Sequence, residues 1–154
     1  LRTFLKFLAK RGIKSLPADN IELAKVSQRT VDVITEGELQ RLLKAPESEK
    51  TPEKKARGKA ILELLFSTGL RVSELCSLPR DLNLSSDEFA IRGKGEKVRV
   101  VFLSEEAKTA IKKYLSARKD LDNDQMFPVT PRSIQRIIKQ LIDKEMNEEF
   151  EGQN

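Results

Sequence analysis

Between positions 89 and 103 the chain changes its period. The stretch reads FAIRGKGEKVRVVFL, in which Val98, Val100 and Phe102 alternate with Arg99, Val101 and Leu103. That alternation is the signature of a strand, and Gly93 and Gly95 interrupt it at a turn. The stretch therefore predicts a β-hairpin with Lys94 at its tip. On either side, apolar residues recur at helical spacing. A chain of this kind can close only a small sheet among its helices, so the fold class expected is mainly α with a small antiparallel β-sheet (α+β). Leu82 and Leu84 are placed to start a third short strand.

The helices announce themselves by their ends. Leu1, Phe4, Leu5 and Leu8 form one stripe, which Gly12 can close. Residues 13–34 show no clear period and read as a linker. Thr35-x-x-Glu38 is a capping box ahead of Leu39, Leu42 and Leu43, with Pro46 as the stop. Thr51-Pro52 opens a longer helix that carries Ala56, Ala60, Ile61, Leu64 and Leu65. Gly69 suits a left-handed cap at its end. Residues 72–78 make a short helix before Pro79, with Arg71 in its first turn. Ser104 caps a helix with Ala107, Ala110, Ile111, Tyr114 and Leu115 on its apolar face. Thr130-Pro131 opens the last one, whose stripe runs from Ile134 to its end near Ile142.

Composition narrows the chemistry. The 154 residues carry a formal net charge of +5, one cysteine, one tyrosine and no histidine. An ordinary zinc site and any Ser-His or Cys-His nucleophile pair are thereby excluded, and neither metal nor cofactor is expected. A lone cysteine forms no intrachain disulfide and fits a reducing compartment. No apolar run approaches the length that spans a bilayer, so no membrane partner is expected and the cytoplasm is the expected location. Basic charge gathers in residues 1–34 and in the hairpin, whereas the C-terminal stretch is acidic.

Three clusters could carry function. On spacing alone Arg71, which follows the Gly69 turn, is first read as capping the neighbouring turn and pairing with Glu74; its planar fork also suits two phosphate oxygens. Lys94, between two glycines, is a phosphate clamp, a proton donor or an ordinary charged turn residue. Thr130, Arg132, Ser133 and Arg136 lie off the apolar stripe at a helix N-terminus, as phosphate ligands or as a solvated face. Tyr114 sits on an apolar helical face and reads as core.

Taken together, these stretches resemble the tyrosine recombinase (phage integrase) family, in its Xer-like branch. STGLRVSELCSL resembles the family's first arginine box, and IRGKGEKVRVVFLS the hairpin that follows it. VDVITEGELQRLL resembles the entry to the catalytic domain, AIKKYLSAR the helix after the hairpin, and LPADNIELAKV the strap between the two domains of these enzymes.

The resemblance implies a fold and a task. The fold would be the N-terminal half of a tyrosine-recombinase catalytic domain over residues 35–154. Residues 1–12 would be the last helix of a DNA-clamping domain, and 13–34 the interdomain linker. The partners would be double-stranded DNA and further protomers in a tetramer. Family members break and rejoin DNA through a 3′-phosphotyrosine, with Arg71 matching the first arginine, Lys94 the hairpin lysine and Glu74 the support for Arg71. Basic groups of the hairpin (Arg92, Lys97, Arg99) and hydroxyl and basic groups of the last helix (Thr130, Arg132, Ser133, Arg136) would contact DNA. The family's histidine-x-x-arginine box and nucleophilic tyrosine would follow position 142. With no histidine in the sequence, this chain alone is expected to be inactive. The alternative is a non-catalytic, recombinase-derived DNA-binding or interaction module.

Overall fold

The computed structural model describes residues 1–22, 33–93, 97–120 and 122–151, with side chains as far as Lys144. They belong to two units, Leu1–Val33 and Ile34–Asn154. The first holds α1 (Arg2–Lys10) and a single 3₁₀ turn, Ala18–Asn20. Gly12, at φ +71°, takes the chain out of the helix, and Arg2 pairs with Asp19 at 2.7 Å. Residues 23–32, most of the remaining linker stretch, lie outside the described residues.

The second unit is organised around one helix. α2 (Glu36–Lys44) starts with the capping box: Thr35 Oγ1 accepts the Glu38 N–H, and Glu38 Oε2 accepts the Thr35 N–H at 2.7 Å. It runs into a 3₁₀ turn, Ala45–Ser48, that contains Pro46. α3 (Pro52–Thr68) then passes through the middle, capped by Thr51 and ended by Gly69 at φ +61°. Ala56, Ala60, Ile61, Leu62 and Leu64 are all buried, so both sides of α3 are covered. α5 (Glu105–Ala117) covers one side, with Ala107, Ile111 and Tyr114 buried in the shared core. α6 (Pro131–Glu151) contributes Ile134 to that core and Leu141 to a smaller cluster with Leu43, Ala45 and Leu62. Gly58 lets this cluster close, because a Cβ there would lie 3.2 Å from Pro46 Cβ.

β1 (Glu88–Arg92) and β2 (Val98–Phe102) pair antiparallel, from Glu88 opposite Phe102 to Arg92 opposite Val98. Ile91, Val101 and Leu103 face the core, whereas Val98, Val100 and Phe102 face solvent. The sheet is tied down at its open end. Ser67 Oγ donates to the Phe102 carbonyl at 3.1 Å and accepts the Ser104 N–H at 2.8 Å. Buried Lys108 pairs with Asp87 and with Glu105.

Three expectations change. The sheet has two strands, and Leu82 and Leu84 are not in a third. Asn83 Oδ1 accepts the Ser85 N–H at 3.0 Å and curls this segment into turns, while the two leucines plug the core from the loop. The helix after the joint is only Val72–Cys76 (α4), with Arg71 as its N-cap rather than inside its first turn. The last helix does not stop near Ile142 but continues to Glu151.

Arg118, at the end of α5, was not anticipated as structural. Its side chain is fully buried. Its fork holds Asp120 and donates to the carbonyls of Asn123, Gln125 and Met126. This holds the segment that brings Phe127 against Tyr114, ring centroids 5.2 Å apart.

Candidate phosphate-binding site at the helix joint

The site forms where α3 hands over to α4. The left-handed turn at Gly69 leaves Arg71 extended, at φ −71° and ψ 151°, at the start of α4. Arginine has no acceptor with which to cap a helix. Glu74 supplies the cap by reaching back, and its Oε2 accepts the Arg71 N–H at 2.7 Å. The Arg71 guanidinium donates from Nη1 to Glu74 Oε1 at 3.1 Å, yet the side chain stays 65% exposed.

Glu74 is buried, and a second arginine explains how a carboxylate can be tolerated there. Arg99, on the inner face of β2, forks onto it: Nη1 to Oε1 at 2.9 Å and Nη2 to Oε2 at 2.8 Å. Such parallel charge-assisted bonds are the strong and orienting kind. The Glu74 carboxyl is held down at about 2, first by the Arg99 bonds and then by the Arg71 amide and guanidinium, against the opposing effect of burial. Two guanidinium groups against one carboxylate leave the trio with a net positive charge.

Gly93, just past β1, lies against the trio. A Cβ there would come 3.2 Å from Arg99 Nη1 and 3.3 Å from Glu74 Oε1. Its N–H donates to the Lys97 carbonyl at 2.8 Å. An open groove of about 410 Å³ results, lined by Arg71, Ser73, Glu74, Ser77, Arg92 and Gly93.

The structure thus brings Arg71, Glu74 and Arg92 to one groove. Lys94 follows Gly93 in the chain but lies outside the described residues. Lys97 is exposed. Arg99 points inward and gives both terminal nitrogens to Glu74. Thr130, Arg132, Ser133 and Arg136 gather elsewhere, around the first turns of α6. They line a second groove of about 390 Å³ with Gln135 and Lys139. There the Thr130 hydroxyl accepts the Ser133 N–H at 3.2 Å. The two grooves share no lining residue. Lys54 and Arg57 of α3 approach Ser133 and Arg136 in an adjoining cavity, and Arg57 Nε, shielded from solvent, has no hydrogen-bond partner among the described residues. An arginine within a mostly buried helix was the available signal for it.

Residues 32–153 match the phage integrase family. The chain belongs to that family. Among curated phage integrase relatives, tyrosine recombinase XerC of Thermodesulfovibrio yellowstonii is 36% identical over 155 residues, covering 90% of this chain and 51% of its own length. Tyrosine recombinase XerD of Oceanobacillus iheyensis is 40% identical over 122 residues, covering 78% and 40%. The crystal structure of XerA recombinase superposes with a TM-score of 0.64 at 31% identity, over 94% of this chain and 52% of its own. XerH bound to its difH substrate shares the fold at a TM-score of 0.59 and 22% identity, over 73% and 36%. The chain spans about half the length of the curated relatives it matches. It is a Xer-like tyrosine recombinase by family, with the helical fold and two-stranded sheet of the first half of the catalytic domain. No helix among its described residues is long and apolar enough to cross a membrane.

Proposed function

We propose that this chain is the DNA-engaging first half of the catalytic domain of a site-specific recombinase, preceded by the last helix of a clamp domain (residues 1–12) and a linker (13–34). Arg71 binds the scissile phosphate. Lys94 protonates the departing 5′-oxygen in the whole protein, where a tyrosine becomes joined to the 3′-phosphate. Arg92 and Lys97 of the hairpin, with Thr130, Arg132, Ser133 and Arg136 of α6, contact the DNA backbone. In the whole protein, protomers assemble as a tetramer on the duplex.

One observation carries the reading. Arg71 presents an exposed guanidinium held by the buried carboxylate of Glu74, beside the strand end that leads to Lys94. Phosphoryl transfer spreads charge over the phosphate oxygens, and preorganised cations stabilise it most when they need not reorganise. The proton for the leaving oxygen must come from a group that can approach it, which a lysine at a hairpin tip can do. XerH, a site-specific recombinase that shares the fold, is bound to its difH substrate in its own structure.

The test is duplex binding by this chain across a salt series. The wild type should weaken steeply as salt rises. Arg71→Ala with Lys94→Ala should lower the slope of log affinity against log salt by about two, one for each phosphate-binding cation removed. Salt-independent binding, or an unchanged slope, refutes the reading. On a nicked suicide duplex this chain should form no covalent adduct, since its one tyrosine, Tyr114, is buried against Phe127.

A further inference from the structure

We propose that Arg99 is a positioning residue of the phosphate site: through Glu74 it fixes the direction in which Arg71 presents its guanidinium, and it locks the base of the hairpin to the same groove. The role rests on the reading of Arg71 as a phosphate ligand.

Glu74 poses an apparent contradiction. A carboxylate bonded to a phosphate-binding arginine should cancel the charge that the phosphate needs. Arg99 removes the contradiction. It lies 25 residues along the chain from Glu74 and delivers a second positive charge with two bonds, at 2.8 and 2.9 Å. The carboxylate is neutralised from behind, and the charge of Arg71 remains available in front. The fork also fixes the carboxylate plane. Glu74 by itself is a side chain with several rotatable bonds, and Arg71, 65% exposed, has no other hydrogen-bond partner among the described residues to steer it. With Nη1 and Nη2 each giving an N–H to Glu74, the end-on fork of Arg99 is taken up by the carboxylate.

The same bonds couple two parts of the molecule. Arg71 and Glu74 belong to the joint between helices, whereas Arg99 and Gly93 belong to the hairpin. Gly93 fits so closely against both charged groups that a Cβ there, 3.2 Å from Arg99 Nη1 and 3.3 Å from Glu74 Oε1, would press on them. The bidentate pair thus ties the second strand of the hairpin to the helix joint that carries Arg71.

The experiment compares Arg99→Met, Arg99→Lys, Arg71→Ala and the Arg71→Ala/Arg99→Met double variant for binding a fluorescein-labelled duplex. Amide spectra verify that each is folded. Arg99→Met should weaken binding by roughly tenfold, the scale of one charge-assisted hydrogen bond. Arg99→Lys restores the charge but not the fork, and should recover less than half of that deficit on a logarithmic scale. The double variant should bind no more weakly than Arg71→Ala, because the two residues act through one carboxylate. In parallel, the Glu74 carboxyl, followed by ¹³C NMR without DNA, should titrate at about 2 in the wild type and move towards the ordinary 4.5 in Arg99→Met. Full rescue by lysine, or additive effects in the double variant, would mean that Arg99 touches DNA itself and would overturn the positioning role. An unmoved Glu74 titration would overturn it too. Absence of salt-dependent binding by the wild type defeats the phosphate reading and this role together. Normal wild-type binding with Arg99→Met unaffected defeats this role alone.

Discussion

Replacing Glu74 with glutamine removes one charge and almost no volume, and the structure sets the expected cost. The wild-type carboxyl is held at about 2 rather than 4.5 by Arg99 and Arg71. At about 1.4 kcal/mol for each tenfold in proton affinity, that difference corresponds to about 3 kcal/mol of stabilisation of the charged form. Arg99 and Arg71 are 37% and 65% exposed, and water screens part of the attraction, so about 2 kcal/mol is expected to survive. The sign follows from the lowered value. The folded state favours the ionised carboxyl, so the contribution is complete above about 4.5 and disappears as the pH falls towards about 2. A protonated glutamic acid resembles glutamine, so Glu74→Gln should behave like a wild type already at the acid end. Urea unfolding of both proteins across that range is the assay. The wild type should exceed the variant by about 2 kcal/mol at neutral pH, equivalent to about 8 °C in Tm. The two curves should converge as the pH approaches about 2. A gap that stays constant with pH, or a variant as stable as the wild type throughout, refutes the account of Glu74 as a buried anion held by two arginines.

Other perturbations probe the scaffold around the site. Arg118→Met leaves Asp120 and three carbonyls without their buried donor, and should cost about 3 kcal/mol in denaturant unfolding; a cost below about 1 kcal/mol would show that the loop holds itself. Gly69→Ala meets no atom within 4 Å, so its cost is only that of a left-handed alanine, about 1 kcal/mol, read as a fall of about 4 °C in Tm. Gly93→Ala presses on Arg99 and Glu74, and should weaken duplex binding several-fold while Tm falls by only a few degrees, since the groove is open to solvent; unchanged binding would show that the hairpin gives way freely.

Helix ends were legible because their chemistry is local. The Thr35 box, the Thr51 cap and the left-handed Gly69 each involve partners three or four positions away, and all three appear as the residues require. The Arg71–Glu74 pair is of the same kind, and sequence spacing left both of its readings open; the structure gives the ion pair together with an exposed guanidinium. The loop around Leu82 and Leu84 was not legible, since apolar residues in a short run plug a core as readily as they form a strand.

The hairpin marks the boundary between the two kinds of information. Alternation and two glycines established that there would be a hairpin. They could not establish which face turns inward, because Val98, Val100 and Phe102 are as apolar as Val101 and Leu103. The core chose Val101 and Leu103, and with them it turned Arg99 to the inner face of the strand, where a buried carboxylate receives it. Glu74 was that carboxylate, brought near by the packing of α3 and α4 rather than by any spacing along the chain. By itself the amino-acid order determined the capped helix starts at Thr35, Thr51 and Ser104, since a cap needs only its neighbours. The tertiary fold decided which charges meet, because the energy of a buried charge depends on everything packed around it.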